Sequence, residues 1–338
     1  MLRLGISING EGGGHITRMI ALAEKLKDHY EIYFWTPKSC HNFLKFYFPQ
    51  HPIFDLPAFD FYKKNHVILY NKTFFLNLKL AKKYIFGDKI LIKQLKKSKI
   101  NLIISDYEPF LPKASLSLNI PVLYFSHQPI LSKHPKIDFE YVIAFMVNKI
   151  MMPNHFPQIC CSFYNGDVGP MVRNYISQEK TEIHDYVLVY ASPSVKSTIL
   201  PVINEINDVC FKICPDPQID FAQCLAKCRA VIAPAGHQLM TECLIHNKPL
   251  LAFPQKKQYE QRLNAIMLEK SGRGMMGDIK NMKSDIIKFL NKLGSYPFKE
   301  PEKNTNFVFK NDINHAVCII NDIIQKKFNY YKKHVLIS

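Results

Sequence analysis

Short apolar runs alternate along most of this chain with segments whose apolar residues recur at helical spacing. Apolar runs without polar alternation predict strands buried on both faces, and the helical segments between them predict a parallel sheet covered on both sides. The predicted strands are residues 2–8, 31–36, 53–56, 101–105, 121–126 and 158–164, then 186–191, 209–213, 230–233 and 249–253. The pattern therefore predicts an α/β fold.

The alternation is interrupted once, by a cluster of glycine and proline at 165–170 and a polar stretch that continues to Asp185. It then starts again, which predicts two successive doubly wound, Rossmann-like domains. The expected division is a first domain at 1–168, a linker at 169–185, a second domain at 186–310, and a helix and tail at 311–338.

Composition agrees with a globular protein that has two cores, since the chain has 338 residues, 47% of them hydrophobic and 21% charged. No apolar run reaches the roughly 18 residues of a membrane span, and the first residues lack the form of a signal peptide. We therefore expect a cytoplasmic protein whose nine cysteines are reduced.

Two cysteine pairs, Cys210 with Cys214 and Cys224 with Cys228, have a spacing that zinc would tolerate. Each pair lies within one predicted element rather than on a turn, so we interpret them as small buried side chains and predict no metal site.

The chain is strongly basic, since it has 44 Lys and Arg and only 28 Asp and Glu, which gives a formal net charge of +16. Residues 61–100 hold eleven lysines and one acidic residue, Asp88, interleaved with aromatic and aliphatic side chains. This stretch is typical of a contact with an anionic membrane surface, and the alternative is a solvated lysine face on a helix that packs on the core. Nucleic acid is a less favoured partner, because no nucleic-acid-binding motif accompanies the charge.

The first strand leads into a glycine turn at 10–14 that opens a helix. Gly12, Gly13 and Gly14 let the backbone approach an anion at the helix N-terminus. No Gly-Lys-Ser/Thr follows, which excludes a P-loop, and no acidic residue ends the second strand, which argues against a dinucleotide site. The remaining candidates, His15 and Arg18, lie on one face of the helix. The positive helix end biases His15 towards its neutral, proton-accepting form.

The second half repeats the arrangement of strand, glycine and helix. Ala235 and Gly236 open a helix that begins with His237 and Gln238, which would point its N-terminus at a pyrophosphate. Glu242 lies two turns into this helix, where a carboxylate could accept both hydroxyls of a ribose. Further polar groups that could bind a sugar begin the next helix: Glu260, Gln261 and Asn264.

These motifs give the chain a family resemblance. The turn at 12–18, the Ser-Asp-Tyr-Glu-Pro stretch at 105–109 and the block at 235–274 resemble glycosyltransferases of the GT-B fold, in particular a bacterial and archaeal group. More distantly the chain is similar to the N-acetylglucosaminyltransferase that makes the peptidoglycan lipid precursor. The resemblance implies two parallel-sheet domains that face a cleft, with a nucleoside-diphosphate sugar as donor and a glycan or lipid as acceptor.

Residue by residue, the resemblance implies that Gly236 and its helix hold the donor diphosphate, Glu242 the ribose, and Glu260 and Gln261 the donor sugar. It places His15 in the same cleft on the acceptor side. His237 departs from the family pattern, since related chains often carry a small or apolar residue there.

The reaction expected from this resemblance is a transfer with inversion that needs no metal or cofactor, since no Asp-x-Asp motif is present. Helix N-termini, with Arg18 or Arg262, would stabilise the leaving diphosphate. Candidates for the general base are His15, Asp106, Glu108 and His127, and the sequence does not separate Asp106 from His15. Asp106 ends an apolar strand, and could equally cap the helix that follows. Two alternatives are hydrolysis of a nucleotide sugar and, in another class, a basic protein that binds nucleic acid.

Overall fold

The protein consists of two parallel sheets with helices on both faces of each. This computed structural model describes residues 1–59, 62–64, 67–68, 70–191 and 193–335. The strands are β1 (Arg3–Ile8), β2 (Glu31–Thr36), β3 (Ile53–Asp55), β4 (Lys63–Lys64), β5 (Val67–Ile68), β6 (Leu102–Asp106), β7 (Val122–Ser126), β8 (Gln158–Cys160), β9 (Val187–Tyr190), β10 (Phe211–Cys214), β11 (Ala230–Pro234), β12 (Leu250–Phe253) and β13 (Gly274–Met276).

The helices between the strands supply the outer layers. They are α1 (Gly14–Leu26), α2 (His41–Tyr47), α3 (Tyr70–Phe86), α4 (Lys89–Ser98), α5 (Phe110–Leu116), α6 (Ile130–Lys133), α7 (Phe139–Met151), α8 (Asn174–Ser177), α9 (Pro193–Asn204), α10 (Phe221–Lys227), α11 (His237–Ile245), α12 (Tyr259–Lys270), α13 (Met282–Lys292) and α14 (Ile313–Val335). Short 3-10 turns precede α2 and flank α13.

The first sheet has the strand order β3-β2-β1-β6-β7-β8, and each neighbouring pair is parallel. The second sheet has the order β10-β9-β11-β12-β13, also parallel throughout. Strands such as Leu102–Asp106 and Ala230–Pro234 are buried along their whole length, because helices cover both of their faces. The predicted α/β fold with two Rossmann-like domains is confirmed.

Each of the ten predicted strands overlaps an observed strand, and the differences lie at strand ends. The run at 158–164 forms a strand only as far as Cys160, after which Cys161 and Tyr164 make isolated bridges to Val168 and Phe307. Strand β13 was not predicted, because it has only three residues and begins at a glycine. Strands β4 and β5, which form a two-residue antiparallel pair, were not predicted either.

The cysteine interpretation needs one correction. Cys214, Cys224 and Cys228 are buried as expected, but Cys210 is exposed. The reason is that β10 begins one residue later, at Phe211, and forms the edge of its sheet.

The chain crosses between the two domains twice. After β8 it passes through the predicted linker to β9, and after the second domain it returns so that α14 packs on the first. Ile313, Ala316 and Ile320 of α14 join the apolar core formed by α1 and the first sheet. The domain boundaries themselves stay a prediction, but the two crossings hold the carboxyl ends of both sheets on either side of one cleft.

Candidate active site

A cleft of about 1270 Å³ separates the two domains, and residues from both sides line it. Most of the residues singled out in the sequence meet there: Gly12, Gly13, Gly14, His15, Arg18, His127, Gly236, His237, Gln238, Glu242, Glu260 and Gln261. Four others, Asp106, Glu108, Ala235 and Asn264, are buried behind the lining. The two glycine turns therefore belong to one site.

The two turns bring two helix N-termini together. Gly12 has a φ of +71°, a left-handed conformation that glycine adopts without strain, and Gly13 lies just before α1. A Cβ placed on Gly14 would lie 3.3 Å from Cβ of Gln238, so the backbone of the first turn approaches the start of α11 closely. Because both helices begin at the cleft, their partial positive charges add at one place, which favours an anion.

Behind the first glycine turn, the His15 side chain contacts the buried ion pair of Arg18 and Asp106. Asp106 accepts from Arg18 through Nε at 3.0 Å and through Nη2 at 2.8 Å, and its Oδ1 lies 3.0 Å from His15 Nδ1. Burial alone would raise the pKa of Asp106, but Arg18 and His15 outweigh it and hold that pKa at about 2. The carboxyl group is therefore a charged acceptor at neutral pH, and His15 Nδ1 carries the proton that it accepts.

This proton assignment leaves Nε2 as the basic nitrogen of His15. Arg18 Nη2 also lies 3.1 Å from Nδ1, but a guanidinium only donates, and an unprotonated Nδ1 would face the Asp106 carboxylate with no proton between them. Tyr107 stacks on the imidazole at 5.7 Å between ring centroids, with an interplanar angle of 7°. The ring is thus held in one orientation at the wall of the cleft.

Glu108, one of the four base candidates, has another function in the structure. Its carboxylate accepts the N–H groups of Phe110 and Leu111 and so caps α5, and the side chain does not line the cleft. Burial raises the pKa of Glu108 to about 8 against the effect of these two N–H groups. The helix cap that the sequence analysis considered for Asp106 is therefore made by Glu108, because the chain turns at Tyr107 and points the later carboxylate at the helix.

His127 is the fourth candidate, and both of its ring nitrogens are engaged. Nδ1 lies 3.2 Å from the Cys161 carbonyl oxygen and Nε2 lies 2.9 Å from Oδ1 of Asn264. Burial lowers the pKa of His127 to about 4. His127 stacks on His237 at 3.6 Å across the domain boundary, so its position favours a packing role over proton transfer.

His237 begins α11 beneath the cleft surface. Its Nε2 accepts the Phe163 N–H at 3.3 Å, and burial lowers its pKa well below the usual value. Among the described residues, no group bonds its Nδ1. The ring is therefore neutral and carries its proton on Nδ1, at the helix end where an anion is expected.

A chain of hydrogen bonds that the sequence analysis did not foresee crosses the domain boundary. Ser126 Oγ lies 2.7 Å from Oδ1 of Asp106 and also contacts the Gln128 side chain. Gln128 Nε2 donates to Glu260 of the second domain at 3.0 Å. Ser126 and Gln128 flank His127 at the carboxyl end of β7, and this position is the only sequence signal that could have indicated them.

Glu242 lies inside the cleft wall and is 4% exposed. Its Oε1 is 3.5 Å from Nε2 of Gln238 and 3.9 Å from Nη2 of Arg173, a linker residue that the sequence analysis missed. Burial raises the pKa of Glu242 to about 7, and the guanidinium of Arg173 opposes that rise. Glu242 is therefore not in a surface salt bridge.

Arg262 does not take the expected place near a leaving group. Its guanidinium forms ion pairs with Asp138 and Glu140 of α7, away from the cleft lining. Gln261 does face the cleft, and its Oε1 accepts the backbone N–H of Gln255 at 3.0 Å. Within the described ranges, no group of three or more His, Cys, Asp or Glu side chains could hold a metal ion.

Comparison with known proteins identifies the family of this chain. Residues 3–294 match glycosyl transferase family 1. The chain belongs to this family. An uncharacterized glycosyltransferase of Methanosarcina mazei is 47% identical over 47 residues, which is 14% of this chain and 12% of that relative. The matched stretch is thus a small part of the curated relative.

Solved structures confirm the GT-B fold of this family 1 chain. MurG of Acinetobacter baumannii superposes with a TM-score of 0.57 at 13% identity, over 95% of this chain and 100% of MurG. UGT2 of Phytolacca americana, solved with UDP-2fluoro-glucose and pterostilbene, gives a TM-score of 0.55 at 13% identity, over 88% and 91% of the two chains. At this identity the likeness concerns the fold, so the chemistry must be argued from the residues.

Proposed function

We propose that this protein is a glycosyltransferase that moves a sugar from a nucleoside-diphosphate sugar to an acceptor hydroxyl. The observation that carries the proposal is the pairing, in one cleft, of an anion site at two helix N-termini with a histidine oriented by a buried carboxylate. The family match and the GT-B neighbours support it.

In the proposed reaction, His15 Nε2 takes the proton of the acceptor hydroxyl while the oxygen attacks the anomeric carbon. The bond from that carbon to the diphosphate oxygen breaks, and the nucleoside diphosphate leaves on the opposite face, which inverts the configuration. Asp106 accepts the Nδ1 proton throughout and stabilises the charge that His15 gains. We assign the base to His15 because a carboxylate whose pKa is about 2 is a weak proton acceptor.

The second domain would hold the donor. The N-terminus of α11, beginning after Gly236, faces the diphosphate, and no metal is required where helix dipoles balance its charge. Glu242 accepts the ribose hydroxyls, and Glu260 and Gln261 contact the donor sugar. Gln128 of the first domain donates to Glu260, which links the proposed sugar site to the first domain.

The test is isothermal titration of the full-length protein with UDP, GDP, ADP and CDP, followed by product analysis with the matching sugar nucleotides. We expect one diphosphate to bind in the micromolar to millimolar range. If none binds at millimolar concentration, the proposal is wrong. Sugar release into water over many turnovers, with no acceptor added, would favour a nucleotide-sugar hydrolase instead.

We further propose that the acceptor is a glycan or lipid at an anionic membrane surface. In the basic stretch, α3 exposes Leu76, Leu78, Ile85 and Phe86, and the lysines at 82, 83, 89 and 93 are exposed nearby. Four other members of the basic stretch, Lys63, Lys64, Phe74 and Lys79, have side chains that the structure does not describe.

Helix α7 extends this surface. Phe139, Val142, Met146 and Ile150 recur every three or four residues, so they share one helix face, and all four are exposed. The Tyr84 hydroxyl donates to the Ile150 carbonyl at 3.2 Å, which joins the end of α3 to the end of α7. An exposed apolar face beside lysines suits the headgroup region of a bilayer. Across the described part of the chain, none of the helices is both long and apolar enough to cross a membrane.

This surface is tested by co-sedimentation with vesicles that contain phosphatidylglycerol. The variant Lys82→Glu/Lys83→Glu/Lys93→Glu should lose binding, because each lysine near an anionic surface contributes about 1 kcal/mol. The matched control, Lys280→Glu/Lys288→Glu/Lys292→Glu, makes the same charge change on exposed lysines of the second domain and should still bind. Equal binding by both variants would refute the membrane proposal.

A further inference from the structure

Arg173 lies in the linker between the domains, just before α8, and its side chain lines the cleft opposite Glu242. The residue is 7% exposed. Nη1 donates to the Tyr47 hydroxyl of the first domain at 2.8 Å, and Nη2 lies 3.9 Å from Glu242 Oε1. Nε is buried and has no hydrogen-bond partner among the residues that the structure describes.

The Glu242 carboxylate, which faces Arg173, also lacks close hydrogen-bond partners. The contacts of Glu242 with Arg173 at 3.9 Å and with Gln238 at 3.5 Å both exceed the 2.7–2.9 Å of a charged hydrogen bond. A buried cation and a buried anion with unused bonding capacity cost free energy unless a third group, lying beside the pair, bonds to both. The gap needs a group that donates to a carboxylate and accepts from a guanidinium, and a hydroxyl does both.

We propose that Arg173 is a specificity-determining residue that binds one ribose hydroxyl of the donor together with Glu242. This inference rests on the proposed function, which brings a ribose to Glu242. The hydroxyl donates its proton to Glu242 and accepts from Arg173, so one group satisfies both buried charges. A deoxyribose at this position would leave them both unsatisfied.

The surrounding residues fix Arg173 in place for this contact. Its guanidinium carbon lies 5.8–5.9 Å from the ring centroids of Phe43 and Tyr47 of the first domain and Tyr175 of α8, which surround it. The linker is tied to α11 two residues earlier, where Gln238 donates to the Met171 carbonyl at 3.0 Å. The side chain therefore has little freedom to follow a ligand, and the ligand must present its hydroxyl to the guanidinium.

The experiment compares ribose with deoxyribose in two proteins. The diphosphate that binds most tightly among UDP, GDP, ADP and CDP is titrated by calorimetry alongside its 2′-deoxy and 3′-deoxy analogues, into wild type and Arg173→Met. We expect wild type to prefer the ribonucleotide by roughly ten- to a hundredfold over one of the two analogues, since a hydrogen bond to a charged group has that worth. In Arg173→Met most of that preference should disappear, and Arg173→Lys should recover part of it.

A matched arginine variant, Arg229→Met, removes a guanidinium that pairs with Asp185 outside the cleft, and it should keep the full preference. If wild type binds none of the four diphosphates, the proposed function fails and the inference falls with it. If wild type binds a diphosphate but treats both deoxy analogues as equals of the ribonucleotide, the inference alone is overturned. An Arg173→Met protein that binds all ligands more weakly with an unchanged ratio would likewise refute it, because the arginine would then be structural.

Discussion

The buried pair of Arg18 and Asp106 gives the sharpest prediction, because its test needs no substrate. Asp106 is 0% exposed and Arg18 is 2% exposed, and they share three contacts of 2.8–3.0 Å. Removing one partner leaves the other charge buried and unpaired, which typically costs about 3–5 kcal/mol of unfolding free energy. We therefore expect Asp106→Asn and Arg18→Met each to destabilise the protein by that amount.

The double variant separates charge from packing. Asp106→Asn/Arg18→Met leaves no unpaired charge, so its loss should be smaller than the sum of the single losses by about 2 kcal/mol. The assay is urea unfolding at pH 7, followed by circular dichroism. The exposed pair Lys283–Glu205 has a comparable N–O distance of 2.8 Å, and there Glu205→Gln should leave the unfolding free energy nearly unchanged.

The pH dependence follows from the same pair. The pKa of Asp106 falls from its ordinary 3.8 to about 2 in the folded protein, which corresponds to roughly 2 kcal/mol of unfolding free energy. Because the folded value is the lower one, this stabilisation is complete above pH 3.8 and is lost as the pH falls through about 2. Additive single losses, or an Asp106→Asn protein with the acid sensitivity of wild type, would refute the reasoning.

Three further predictions concern the cleft. His15→Gln should lower kcat by about 10²–10⁴ while nucleoside-diphosphate binding by calorimetry stays within a fewfold of wild type, because the base acts on the acceptor. Glu108→Ala should lower the unfolding free energy by about 1–2 kcal/mol through loss of the α5 cap, and leave diphosphate affinity unchanged; an affinity loss would put Glu108 back in the site. Diphosphate affinity should fall between pH 8 and pH 6, since Glu242, whose raised pKa is about 7, is protonated below that pH and accepts fewer hydroxyl bonds. Glu242→Gln should remove this pH dependence, and a persistent dependence would assign it to another group.

The sequence predicted well those features that depend on neighbouring residues along the chain. Fully apolar runs located the strands, and a glycine at a strand end located both helix N-termini, because each signal is local. The cap of α5 was considered at Asp106 and not at Glu108, which lies two positions later. Which of them points at α5 depends on the backbone at Tyr107, whose φ of +54° turns the chain.

Residues that act across the domain boundary were beyond local patterns. Arg173 is 69 residues from Glu242 along the chain and faces it only because the linker runs beside α11. Gln128 reaches Glu260 over a separation of 132 residues. Arg262 was one of two arginines expected at the leaving group, but it forms ion pairs with Asp138 and Glu140 at the start of α7. Each of these contacts depends on how the two sheets face each other.

The placement of charge in the cleft determines what can stabilise a leaving diphosphate. Arg18 lines the cleft, but its Nε and Nη2 both donate to the Asp106 carboxylate, so the pair is close to neutral there. His127 and His237 are kept uncharged by burial. Besides Arg173 and Lys257, which also line the cleft, positive field comes from the N-termini of α1 and α11, which meet where Gly14 approaches Gln238. Because His15 lies in the first turn of α1, the proposed base stands beside the proposed leaving-group site, and a Cβ at Gly14, which would lie 3.3 Å from Cβ of Gln238, would disturb both.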